Sequence, residues 1–156
     1  MDLSKRTGKD GNEMAHSIWF DMDGTLADLY GVENWLPKLE ASDPSPYEEA
    51  KPLLRMATLA RLLNKLIRAG WSVSIISWTS KNGSSAYNRA VANAKLKWLK
   101  THLKSVQFDA IDIIDYGICK KDGREGILFD DEMRNRTEWG AGAFDETNII
   151  EILKGL

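Results

Sequence analysis

The apolar positions of this chain fall into short β-prone runs separated by longer stretches with helical spacing. His16-Ser17-Ile18-Trp19-Phe20 is the first run, and it stops abruptly at Asp21-Met22-Asp23-Gly24-Thr25. Ser45-Pro46-Tyr47-Glu48 reads as a helix start, with Ser45 as cap, Pro46 in the first turn and Glu48 three residues after the cap. Pro52 interrupts or restarts that helix, because proline has no amide proton and crowds the preceding turn. From Leu53 to Ala69, apolar Leu59, Leu62, Leu63, Leu66 and Ile67 share one face and predict a helix that Gly70 closes.

Trp71 to Ile76 is a second strand-like run, leading into Ser77-Trp78-Thr79-Ser80. Ser84 to Leu103 predicts a second long helix, with Tyr87, Ala90, Val91, Ala94 and Trp98 spaced by three or four. Phe108–Ile114 and Gly126–Phe129 read as third and fourth strands, the fourth ending in Asp130-Asp131. Trp139–Phe144 reads as a short fifth strand and Glu146–Lys154 as a closing helix. Asp28 to Ser45, with Gly31, Pro37 and Pro44, reads as loop plus a short helical piece. Strands alternating with helices predict an α/β chain with a three-layer, Rossmann-like fold. It should have a mainly parallel sheet of about five strands and helices on both faces. The expected organisation is a polar arm over residues 1–14 ahead of one domain over 15–156, with a small insert at about 28–45.

A length of 156 residues fits a single domain, and 43% hydrophobic content is enough for a real core. Lys+Arg is 21 against 23 Asp+Glu, a formal charge of −2, which argues against a dedicated duplex-DNA binder. A nucleotide or a nucleic-acid end stays open as substrate. Cys119 is the only cysteine, so no intramolecular disulfide or cysteine zinc cluster can form within one chain. It reads as a small buried filler. With only His16 and His102, a histidine-rich metal site is disfavoured. Met1 to Glu13 has no apolar core of a secretory signal, and no window reaches the ~18 apolar residues of a membrane span. The expectation is a soluble, cytoplasmic protein with no membrane partner.

The chemistry gathers where strands end. In open parallel sheets, ligands bind beyond the carboxyl ends of the strands. There the first strand delivers Asp21 and Asp23, the second Ser77, and the fourth Asp130 and Asp131. Carboxylates ~4 Å apart repel by about 4 kcal/mol at an effective dielectric of ~20. Four converging acids therefore call for protons or a cation, and hard oxygen ligands favour Mg²⁺. The Asp-x-Asp spacing points alternate side chains the same way, so one carboxylate can attack phosphorus while the other serves the leaving oxygen. An EF-hand reading fails, because Thr25, Leu26 and Val32 stand where that loop needs an oxygen ligand, Gly and Glu. No GxxxxGK[ST] string exists for a P-loop.

Asp21-Met22-Asp23-Gly24-Thr25-Leu26 after an apolar strand resembles the first motif of the haloacid dehalogenase (HAD) superfamily of phosphohydrolases. The resemblance runs from about Ser17 to Ile152: Ser77 matches the second motif, a lysine before the fourth strand the third, and Asp130-Asp131 the fourth. It implies Asp21 as the nucleophile that forms a phospho-aspartate and Asp23 as the proton donor and then the base for water. It implies Ser77 and Lys120 as holders of phosphoryl oxygens; Lys121 is the rival lysine, and Lys120 is preferred because it follows Tyr116-Gly117-Ile118-Cys119. Asp21, Asp23 through its backbone carbonyl, Asp131 and Asp130 would hold Mg²⁺.

The short insert resembles small phage and bacterial nucleotidase-like members with little or no cap. Their open sites take large substrates, or small ones when a second subunit of a homo-oligomer closes the cleft. The implied substrate is a phosphorylated small molecule, a nucleotide or a nucleic-acid terminal phosphate. Sugar phosphates, phosphoproteins and a non-catalytic Mg²⁺- or phosphate-binding role are the alternatives. Trp35 and Trp78 can stack on a base or simply pack. Arg134 and Arg136 can meet a second anionic group or sit in a solvated loop.

Overall fold

The computed structural model describes residues 16–156; the polar arm expected over residues 1–14 lies outside the described residues. In chain order come β1 (Ser17–Phe20), β2 (Ala27–Asp28), a 3₁₀ turn (Leu29–Gly31), α1 (Trp35–Glu40), α2 (Ser45–Glu49), β3 (Lys51–Pro52) and α3 (Met56–Arg68). Then follow β4 (Ser72–Trp78), α4 (Ser85–His102), β5 (Ile111–Ile114), β6 (Ile127–Phe129), α5 (Met133–Trp139), β7 (Ala143–Phe144), a second 3₁₀ turn (Glu146–Asn148) and α6 (Ile149–Gly155).

Five strands form one sheet in the order β5-β4-β1-β6-β7, and every neighbouring pair is parallel. This is the α/β, Rossmann-like architecture that the alternation of runs predicts. Because side chains alternate along a strand, Ile18 and Phe20, Val73 and Ile75, and Ile127 and Phe129 share one face of the sheet. That face meets Leu59, Leu63 and Leu66 of α3, Trp98 and Leu99 of α4, and Ile149 and Leu153 of α6 in the main core. The opposite face carries a smaller cluster, where Ile76 and Leu128 pack on Trp139 of α5. Among the described residues, no helix is long and apolar enough to cross a membrane.

Several boundaries differ from the sequence expectation for local reasons. Pro52 does interrupt the helical stretch, and it does so from a strand: Lys51–Pro52 pairs antiparallel with Ala27–Asp28, and the Leu53 amide bonds to the Leu26 carbonyl. The ribbon holds the chain extended, so α3 starts at Met56 rather than Leu53. Ser84, not the helix itself, supplies the cap of α4, its hydroxyl accepting from the Tyr87 amide. The expected fifth strand over Trp139–Phe144 shrinks to β7, because α5 carries on through Trp139 and its indole buries against the sheet. Met133–Trp139 is thus helix rather than solvated loop. Cys119 is exposed, not a buried filler.

Close approach of β1 and β6 depends on Gly126. It enters β6 at φ +111°, and a β-carbon there would lie 2.3 Å from the Ser17 carbonyl oxygen. Gly126→Ala is expected to destabilise the fold by roughly 2–4 kcal/mol, through backbone strain plus a backbone clash. The denaturant midpoint should fall with the m-value unchanged. An unmoved midpoint would show that β1 and β6 can separate without cost.

Candidate active site

Because β1, β4 and β6 run parallel, their carboxyl ends open onto one edge. Asp21 follows β1 directly, and its amide bonds to the Phe129 carbonyl at 2.9 Å, stitching β1 to β6 where the acids begin. Beyond it the chain turns tightly, the Met22 carbonyl accepting from the amides of Thr25, Leu26 and Ala27. Gly24 sits in this turn at φ +83°, where a β-carbon would stand 2.3 Å from Asp131 Oδ2. The positive φ calls for glycine here, and the absent β-carbon leaves room for the Asp131 carboxylate.

Lys120 Nζ lies between two acids, donating to Asp21 Oδ1 at 2.9 Å and Asp130 Oδ2 at 2.8 Å. Its side chain is 2% exposed and stands 5.0 Å from the Trp78 ring centre. Lys121 goes elsewhere, its Nζ 4.8 Å from the Trp139 ring centre. Thr25 Oγ1 lies 2.9 Å from Asp21 Oδ2 and 3.2 Å from Asp131 Oδ1, and accepts from the Asp131 amide. Asp130 is buried and locked: Oδ1 accepts from the Glu132 amide, Oδ2 also from Asn135 Nδ2, and its carbonyl from Arg136. Arg136 is therefore an anchor of the acid loop, while Arg134 pairs with Glu138 on the surface.

Asp23 and Ser77 meet through a residue that the sequence reading passed over. Lys95 of α4 donates to Asp23 Oδ2 at 2.9 Å, to Ser77 Oγ at 2.6 Å and to the Trp78 carbonyl at 2.6 Å. A signal existed: Lys95 is four residues from Val91 and three from Trp98, on the helix face that the pattern marks as buried. Thr25 was likewise present in the first motif without an assigned task.

Burial resists ionisation of Asp21, but the charge of Lys120 and bonds to Asp131 and Lys120 hold its carboxyl below the ordinary range. Asp23 goes the other way, raised by burial against the pull of Lys95. Burial and the charge of Asp21 push Asp130 up to about 6, and they push Asp131 up to about 8. One oxygen from each of Asp21, Asp130 and Asp131 lies within 4.8 Å of the other two. This is an all-oxygen, all-carboxylate set of the kind that suits Mg²⁺. The Asp23 carboxylate is outside that set, its Oδ2 bound to Lys95.

Above the acids lies a cleft of about 550 Å³. Two aromatic pairs from separate segments line it: Tyr30 edge-on to Trp35 at 5.1 Å, and Trp78 against Tyr116 at 4.9 Å. Trp78 is spoken for, with its indole donating to the Ile118 carbonyl and its ring beside Lys120. Tyr30 and Tyr116 are 50% and 46% exposed and keep free ring surface. Thr79 Oγ1 and Asn135 Oδ1 are buried polar atoms of the cleft lining without a hydrogen-bond partner among the described residues.

No family model matches the chain, and no curated protein does. Solved structures do. A D,D-heptose 1,7-bisphosphate phosphatase from Burkholderia thailandensis aligns with TM-score 0.53 and 12% identity, over 89% of this chain and 96% of that one. The enzyme of the same name from B. bronchiseptica, complexed with magnesium and phosphate, aligns with TM-score 0.52 and 13% identity, over 91% and 99%. At such identity the likeness establishes a shared fold.

A cation bound by Asp131 must displace its proton below about pH 8. Mg²⁺ affinity, measured by calorimetry, is expected to rise as pH increases from 6 to 8 and then level, with proton release falling to zero above that range. A pH-independent affinity would place the cation away from Asp131.

Proposed function

We propose that this protein is a Mg²⁺-dependent phosphomonoester hydrolase of the haloacid dehalogenase type, acting through an aspartyl-phosphate. One observation carries this: a buried Asp21, its carboxyl held below the ordinary range by Lys120, belongs to a three-carboxylate set and stands two residues from Asp23, an acid whose carboxyl burial raises. The shared fold with two phosphatases, one holding magnesium and phosphate, supports it.

Asp21 attacks phosphorus, forming an acyl phosphate as the ester P–O bond breaks, and Asp23 gives its proton to the departing oxygen. Asp23, now a carboxylate, takes a proton from water as that water attacks the phospho-aspartate. Phosphate leaves, and both aspartates return to their starting states. Lys120 and the Ser77 hydroxyl hold the oxygens of the transferring phosphoryl group, where preorganised charge contributes most. Mg²⁺ held by Asp21, Asp131 and the Asp23 carbonyl, with Asp130 behind them, would supply further positive charge to those oxygens.

A nucleotide is the substrate class that the cleft suits best. Exposed rings of Tyr30 and Tyr116 and the edge-packed Trp35 offer flat apolar surface near the acids, and base stacking on such rings is worth about 1–3 kcal/mol per base. Both solved relatives are named for a sugar phosphate, which favours a phosphorylated sugar as the second reading.

A panel of nucleoside monophosphates, a 5′-phosphorylated oligonucleotide, sugar phosphates and a phosphopeptide separates these, run with Mg²⁺ and with EDTA. Nucleoside monophosphates are expected to give the highest kcat/KM, and EDTA to abolish turnover. Asp21→Asn should lower kcat by at least ~10³-fold. Preference for sugar phosphates would establish the second reading; Mg²⁺ binding with no turnover on any ester would leave a binding module.

A further inference from the structure

Lys95 is the second buried lysine of the site, and the chemistry above gives it no task. It is 0% exposed, on a helix whose other buried residues are Tyr87, Val91, Ala94, Trp98 and Leu99. Burying an ammonium is costly, and an apolar side chain of similar length would usually serve packing as well or better. All three of its protons are used, on Asp23 Oδ2, Ser77 Oγ and the Trp78 carbonyl. The Tyr47 ring centre lies 5.1 Å from Nζ and covers it from the α2 side.

We propose that Lys95 is a positioning residue for catalysis, fixing the proton-carrying carboxyl of Asp23 and the hydroxyl of Ser77 relative to one another. This rests on the role given to Asp23 in the proposed hydrolysis. An ammonium has donors only, so Ser77 Oγ must accept from it. The hydroxyl proton of Ser77, which has no acceptor among the described residues, is left to donate to a phosphoryl oxygen. In the same way Lys95 occupies Oδ2 of Asp23, while Oδ1 accepts no hydrogen bond among the described residues. The exchangeable proton of Asp23 therefore belongs on Oδ1. The two lysines divide the work: Lys120 sits on the nucleophile and its acid neighbour, Lys95 on the proton carrier and the phosphoryl-binding hydroxyl.

Positioning of a general acid matters most when the leaving oxygen is basic. Lys95→Met and Lys95→Gln should be assayed beside Asp21→Asn and Asp23→Asn, with p-nitrophenyl, phenyl and alkyl phosphates and Mg²⁺. Circular dichroism and Mg²⁺ calorimetry serve as folding controls. Both Lys95 variants are expected to lose kcat, with KM within roughly threefold of the parent. The loss should grow from roughly tenfold on p-nitrophenyl phosphate to roughly 10³-fold on alkyl phosphates, parallel to Asp23→Asn. Folded Lys95 variants with equal losses on all three esters, beside a steep dependence in Asp23→Asn, would overturn the role of Lys95 alone. Unfolding of both variants would assign the lysine to the fold and overturn it too. Retained turnover in Asp21→Asn would instead sink the proposed hydrolysis itself.

Discussion

Four carboxylates crowd the carboxyl edge of a five-stranded parallel sheet, and their mutual repulsion is the constraint that shapes everything around them. The chain answers with two buried ammonium groups drawn from distant segments. Lys120 reaches Asp21 from 99 positions along the chain and Lys95 reaches Asp23 from 72. Like charges ~4 Å apart repel by about 4 kcal/mol at an effective dielectric of ~20, so one lysine does not offset several such pairs. Two positive charges still leave Asp131 with little compensation, and its carboxyl is pushed up to about 8, further than that of Asp130 at about 6. The one acid that lacks a lysine stands at the edge of the three-oxygen set that suits a divalent ion.

The sheet is what makes this arrangement affordable. Register between β1 and β6 puts Phe20 opposite Phe129, so Asp21 and Asp130 emerge side by side. Register between β1 and β4 puts Phe20 opposite Ile75, which carries Ser77 to the same height as the residue after Asp21. Glycine at position 126 removes a β-carbon that would hold β1 and β6 apart, and glycine at position 24 leaves room for the Asp131 carboxylate. Strand pairing and acid clustering are thus the same event, and neither needs the cleft above to be closed.

Much of this was legible in residue pattern. Apolar runs ending in Asp21, Ser77 and Asp130-Asp131 marked three strand ends, and a parallel sheet then forces them together. What stayed hidden depends on contacts between distant segments. Periodicity places Lys95 on a buried face but says nothing of what a lysine meets there; only the packing of α4 beside the end of β4 supplies Ser77, Trp78 and Asp23. Lys120 and Lys121 are indistinguishable as neighbours in sequence, yet one turns to Asp21 and the other to Trp139. The small residues around Trp139 predict a strand; burial of its indole against Ile76 and Leu128 extends the helix instead.

The stretch over residues 28–49 joins the cleft wall to the helix that carries Lys95. Its α2 packs along α4, where Tyr87 donates its hydroxyl proton to the Asp43 carbonyl and Tyr47 lies over Lys95. Its first half brings Tyr30 and Trp35 to the cleft. Tyr47, which covers the Lys95 ammonium, belongs to the same stretch, so the cleft wall and that cover are packed as one layer. Tyr30 meets Trp35, and Trp35 packs against the cluster that contains Tyr47, so the wall is continuous with the ring over Lys95. The ion pair of Asp23 and Lys95 thus sits under a ring supplied by the same stretch that builds the cleft wall.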